Sequence, residues 1–225
     1  EYFRKELKGL HLNDQEWIRV MVENPRLIRR PIIEGKYRAV LGDPVENIDT
    51  YQIIPARFLT ATSRKGFGEN LFRDWRYDKS GKLIDGFVLN NPAYSGQVLV
   101  AGKNFGCGSS REHAVWAVSD YGFRVVVSSF FADIFRNNAL NNGLLPVVIP
   151  EEEVRNLIKQ VTDEPSIVVK INVQQRKVEI PSEGKSFTFE INPYKQECLI
   201  KGLDDIDYLL NMKDNIVEYE KRKGI

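Results

Sequence analysis

Cys107, Ser109, Ser110, Arg111 and His113 crowd one short stretch, Gly102-Lys103-Asn104-Phe105-Gly106-Cys107-Gly108-Ser109-Ser110-Arg111-Glu112-His113-Ala114. A thiol, two hydroxyls, a guanidinium and an imidazole are interleaved with glycines, and the chemistry this suits is the holding of an anion. Glycines let the backbone turn sharply and bring its N–H groups up to a ligand, and a helix start leaves N–H donors unpaired with the positive end of the dipole behind them. Arg111 adds a forked cation matched to a carboxylate. The dipole contributes roughly 0.3–1 kcal/mol at an exposed site, so the arginine and the aligned N–H groups together must fix the ligand. The plainer reading is that Ser-Ser-Arg-Glu only caps a helix.

Familiar glycine loops fail here at named positions. A phosphate loop needs Gly-Lys before Ser or Thr, whereas Gly108 runs straight into Ser109. A dinucleotide fingerprint needs glycine where Arg111 stands. A phosphatase-type cysteine loop needs a wider gap than that between Cys107 and Arg111. Cys107 as a low-pKa thiolate, in a self-sufficient cysteine enzyme, stays open beside an inert buried thiol.

The elements that position this stretch follow from periodicity. Val98 to Ala101 is an apolar strand, and a helix is predicted from about Arg111 to Tyr121, with Ser109 or Ser110 as N-cap, Ala114, Val118 and Tyr121 on one face and Gly122 as C-cap. Beyond it come a buried strand at 124–129, a helix at 131–140, a strand at 144–149 and a helix at 151–161. Alternating runs at 167–171, 177–180 and 187–191 read as antiparallel strands, and the C-terminus reads as one helix from Asp204 to about Glu220. The expected fold is α/β, with parallel units and a β-rich layer sharing one core. Thr60 to Trp75 is expected to be a mobile loop, with Arg64 and Arg57 as candidate carboxylate contacts or plain surface arginines. Asn137, Asn138, Asn141 and Asn142 read better as helix C-caps and turn formers than as ligand contacts.

Four stretches together resemble the 3-isopropylmalate dehydratase small-subunit family, the swivel domain of the aconitase superfamily. They are 47–58 (Asn47-Ile48-Asp49-Thr50-Tyr51-Gln52-Ile53-Ile54-Pro55-Ala56-Arg57-Phe58), 66–72, the 102–114 loop and 137–146. The resemblance implies a layered β/β/α swivel domain over 45–225. It also implies a reversible dehydration and rehydration that moves a hydroxyl between adjacent carbons of isopropylmalate in leucine biosynthesis. By the same resemblance Ser110 is the catalytic base, Ser109 lines the site, Arg111 clamps a carboxylate, Arg64 and Arg57 bind substrate, and Gly106, Cys107, Gly108 and Thr50 support the loop. Serine is a poor base in water, but helix-terminal N–H groups and a cation can hold its alkoxide. The family usually has an acidic residue where this chain has Tyr51. That departure keeps open a non-catalytic carboxylate-binding or interaction domain, while citraconate and homoaconitate hydratases are the related enzymatic alternatives.

Expelling hydroxide calls for a Lewis acid, and the superfamily uses a [4Fe-4S] cluster held by cysteine thiolates. This chain has Cys107, Cys198, His11 and His113, and no pair has metal-ligand spacing. No metal is therefore expected on this chain. The cluster is expected on a large-subunit partner, with the active site between the two and this chain silent alone.

With 225 residues, a formal net charge of +1 and 28% charged residues, the chain shows no basic stripe for nucleic acid. No apolar run approaches a membrane span, no signal peptide opens it, and two separated cysteines do not make a disulfide framework, so a cytoplasmic protein is expected. Residues 1–44 form a separate N-terminal helical extension that resembles the C-terminal part of an arsenate reductase-type thioredoxin-like protein. The resemblance rests on Trp17, Ile18, Met21 and Val22 in a helix followed by 23–33. Arg30 matches that family's oxyanion-binding arginine, but its catalytic cysteine has no counterpart and Asp43 stands where a second arginine belongs, so reductase activity is not expected.

Overall fold

The computed structural model describes residues 48–108 and 111–224. The expectations for the N-terminal extension therefore lie outside the described residues.

Three strands, β1 (Val98–Val100), β2 (Val125–Ser128) and β3 (Leu145–Val148), form a parallel sheet in sequential order. Register pairs Val98 with Val125 and Val126 with Pro146. Pro146 is tolerated because β3 is an edge strand and the neighbouring Leu145 N–H already donates inward to Arg124 O (3.0 Å), which turns the proline nitrogen outward. Two helices make the crossovers. These are α3 (Glu112–Tyr121), burying Ala114, Val115, Ala117 and Val118, and α4 (Asp133–Asn141), burying Phe135 and Ala139. Ahead of them lie two short helices, α1 (Thr50–Ile53) and α2 (Arg73–Arg76).

After the sheet, α5 (Glu151–Asp163) opens on three glutamates suited to a helix N-terminus and buries Val154, Leu157 and Ile158 at helical spacing. An antiparallel meander follows, built of β4 (Lys170–Asn172), β5 (Lys177–Ile180) and β6 (Lys185–Thr188). The chain then runs through α6 (Pro193–Lys201), α7 (Asp205–Asn211) and α8 (Lys213–Lys223).

Successive residues of β2 point to opposite faces, so Val126 joins one buried cluster and Val127 another. The first holds Phe67, Leu71, Phe72, Phe105, Phe131, Phe135 and the inner face of α3. The second holds Leu157, Val178, Ile180 and Phe189 under the meander. One face of the parallel sheet, through Val127, Leu145 and Val147, thus shares a core with the β-rich layer as expected, and a second core, which was not expected, lies on the sheet's other face.

Several local expectations are corrected. The segment 60–75 is not a loop throughout. Phe67, Leu71 and Phe72 are buried, and a 3-10 turn over Phe67–Asn70 leads into α2. Phe72 even takes positive φ (48°), its N–H held by Ile53 O at 2.8 Å and its ring stacked on Trp75. The last meander strand starts at Lys185, directly after the Gly184 turn, because it must pair along β5. The first begins only at Lys170. The C-terminal helix breaks at Met212, which caps α7 and opens α8. Helix α6 is an addition, announced by Asn192 capping Tyr194 N, Pro193 in the first turn and Gly202 at its end.

Candidate functional site

The loop after β1 is clamped by a segment from far earlier in the chain. Asp49 caps α1 in a reciprocal box, its carboxylate accepting from Tyr51 N (2.6 Å) while Gln52 Oε1 accepts from Asp49 N (2.7 Å). Thr50, fully buried, donates its N–H (3.0 Å) and its hydroxyl (3.2 Å) to Cys107 O, and Gly106 N donates to Ile48 O (2.9 Å). On the other side Asn104 N donates to Phe130 O (2.8 Å) and Phe105 bridges Phe131. Gly106 and Gly108 both take positive φ, 76° and 83°. A Cβ at Gly106 would fall inside 3.0 Å of the Phe135 side chain, and one at Gly108 would strike the Asp49 carboxylate. Thr50, Gly106, Cys107 and Gly108 are thus brought together.

Ser109 and Ser110 lie outside the described residues. Helix α3 starts one residue later than predicted, and its N-cap is Arg111, in extended backbone (φ −122°, ψ 146°), in place of either serine. The arginine's own side chain makes no capping bond and is exposed.

Arg64 and Arg57 part company. The Arg64 guanidinium lies 5.1 Å from the centroid of the Trp116 ring, on α3. Arg57 forms a two-pronged pair with Asp74, one prong at 3.0 Å, and this raises the guanidinium pKa and lowers that of the carboxylate. Both partners are more than half exposed, so the pair contributes little to stability. Asn142 is the C-cap of α4, in line with the capping reading, and it also reaches α3 by accepting from Trp116 Nε1 (3.1 Å).

Asp49, His113 and Trp116 are side chains about this site to which reasoning from the sequence gave no positioning role. Asp49 had a local signal, since Asp-x-x-Gln is a capping box. The other two had none beyond helical spacing.

Burial, with the Asp49 carboxylate adding to it, pushes the Cys107 thiol above its ordinary pKa. The thiolate therefore forms only at higher pH, the opposite of an activated nucleophile. Alkylation of Cys107 by iodoacetamide at pH 7.5 is expected to run slower than that of free cysteine. Its rate should still climb where that of free cysteine has levelled off, and Asp49→Asn should bring the rise to lower pH; Cys198 is buried and should stay unmodified. Mass spectrometry of the native chain over a pH series would read this. A groove of about 360 Å³ beside β1 contains none of the loop residues and is not this site.

Among the described residues no three His, Cys, Asp or Glu side chains come together as a metal-binding set, and no helix is long and apolar enough to cross a membrane. Cys198 sits in the α6 core and Cys107 on the loop, so the donors present do not fit an iron–sulfur cluster.

Residues 36–152, which hold the parallel βαβ units and the clamped glycine loop, match the model of the aconitase C-terminal domain, and that is the class of this chain. Residues 2–51 match the ArsC family. The 3-isopropylmalate dehydratase small subunit of Christiangramia forsetii is 56% identical over 180 residues, spanning 80% of this chain and 88% of that protein. The subunit of the same name from Roseiflexus sp. is 47% identical over 190 residues, 84% and 91% of the two chains. The crystal structure of 3-isopropylmalate dehydratase from Methanocaldococcus jannaschii superposes with a TM-score of 0.53 at 29% identity, covering 78% of this chain and 93% of that one. The chain belongs to the 3-isopropylmalate dehydratase small-subunit family.

Proposed function

We propose that this chain, joined to a cluster-bearing large subunit, interconverts 2-isopropylmalate and 3-isopropylmalate by dehydration and rehydration, as a cytoplasmic enzyme of leucine biosynthesis. The observation that carries the reading is the clamp of Thr50 and Ile48 on Gly106–Cys107, which holds the glycine loop at the N-terminus of α3 beside Arg111.

In this reading Ser110 takes a proton from the carbon next to the one losing its hydroxyl. The alkoxide it needs is held by the helix-terminal N–H groups and the nearby guanidinium. Arg111 grips one carboxylate and Ser109 lines the pocket. Arg64 is the better second carboxylate contact, because Asp74 already engages Arg57. A cluster held by the partner would supply Lewis-acid chemistry toward the substrate hydroxyl. Residues 45–225 are assigned to the swivel domain and 1–44 to an extension.

The test is anaerobic isomerisation by this chain alone and mixed with a cluster-reconstituted large subunit. Turnover only in the mixture is expected. A mixture that forms no complex would defeat the partner assignment. A silent complex would favour the binding-domain reading, which the position of Tyr51 in the first turn of α1, hydrogen-bonded to Asp49, keeps specific; Tyr51→Asp should then restore turnover.

A further inference from the structure

Resting on the reading above, in which Arg64 meets a substrate carboxylate, we propose that Trp116 is a specificity-determining positioning residue. Its ring is a shelf that sets where Arg64 stands.

The shelf is fixed from several directions. Trp116 Nε1 donates to Asn142 Oδ1 (3.1 Å), and Asn142 Nδ2 in turn donates to Asn138 O (2.8 Å) and Glu112 Oε1 (3.4 Å), which ties the indole to α4 and to the first turn of α3. Phe67, buried in the core, meets the indole edge-on with centroids 6.2 Å apart. The His113 ring lies 4.5 Å from it. With these contacts holding the ring in place, its attraction for Arg64 sets a location for the cation.

The segment that carries Arg64 needs such a location. Thr62, Ser63, Arg64, Lys65 and Gly66 are exposed. The segment leaves the turn where Ala61 N donates to Phe58 O (3.3 Å), and it re-enters the core where Phe67 N donates to Arg64 O (3.2 Å). In between, His113 Nε2 donates to Ala61 O (3.0 Å), a second tether from the same face of α3. The segment is thus pinned at Ala61 and at Arg64 to one helix.

That helix starts at Glu112, with Arg111 as its N-cap. At a rise of about 1.5 Å per residue, Trp116 lies roughly 6 Å along its axis from Glu112. Two guanidiniums are therefore disposed along the N-terminal half of α3, Arg111 by the backbone and Arg64 by the shelf. In the proposed reading each would meet one carboxylate of the substrate. Trp116 acts on the second of these through Arg64 and touches no reacting atom.

The test uses the full chain reconstituted with the large subunit, measuring kcat and KM for Trp116→Leu, Trp116→Phe, Arg64→Ala and the Arg64→Ala/Trp116→Leu pair. Removing the aromatic face should raise KM about three- to tenfold with kcat within about twofold, as expected for a lost cation–π contact. Trp116→Phe keeps a face and should stay within about twofold of the parent. In the Arg64→Ala background the leucine change should add less than about twofold, because the two side chains act as one unit. Additive penalties, a loss carried by kcat, or a phenylalanine variant as damaged as the leucine one would overturn the proposal. A parent complex without turnover would instead mean that the enzymatic reading itself has failed.

Discussion

Ser110→Ala, assayed with the cluster-loaded large subunit, should lower kcat for isomerisation by about 10²- to 10⁴-fold, the usual range for a lost general base. KM should move less than about threefold, because the hydroxyl's work is done as the proton leaves carbon. A serine hydroxyl in water is far too weak an acid to serve as a base, so its use here depends on its neighbours. Arg111 occupies the N-cap without spending its own side chain on a cap, and α3 runs behind it for ten residues. Positive potential is thereby aimed at the loop that precedes the helix. Arg111→Ala is the informative companion, since loss of a forked carboxylate contact should appear chiefly in KM. A Ser110→Ala enzyme within tenfold of the parent would remove the serine from the role of base.

Gly106→Ala should be the most destabilising single-methyl change in the loop, by roughly 2–4 kcal/mol in urea unfolding, from two causes that add. The first is conformational: φ is 76°, a region that costs an L residue about 1–2 kcal/mol. The second is steric. The new Cβ would lie inside 3.0 Å of Phe135, which is fully buried, edge-on to Phe105 and stacked near Phe131, so the ring has nowhere to retreat. Phe135→Ala in the same chain removes Cγ and Cδ2, the two nearest atoms the methyl would meet. It should relieve the larger part of the clash and leave the backbone penalty, so the double variant should lose less than the sum of the singles. Simple additivity would mean that the methyl does not meet the ring.

The junction of β1, loop and α3 is legible in the sequence because each part is a local pattern: an apolar run, glycines, then an amphipathic helix closed by Gly122. The same holds for β2, β3 and α5. The clamp is different. The hydrogen bonds from Thr50 to Cys107 join residues with no shared periodicity, and only the capping box of Asp49 and Gln52 marks that segment as structured. The start of α3 illustrates the limits of preference: serine is the favoured N-cap, yet the extended backbone needed to leave the loop falls on Arg111. Trp116 and His113 are given no positioning role by the sequence for a related reason. They flank the stripe of Ala114 and Val118, and their partners, Asn142, Ala61 and Arg64, come from other parts of the fold.

The clamp also orders events in time. From Val98 to Val148 the chain is a succession of neighbouring β and α segments whose contacts close over shorter stretches than the clamp does. Docking Ile48–Thr50 on Gly106–Cys107 must instead close a long excursion of chain, with an entropy cost that grows with its length. Helix content is therefore expected to arrive before the anion loop is set, because helical contacts close locally. A chain arrested at that stage would carry most of its native circular dichroism and still offer an isopropylmalate carboxylate nothing to hold.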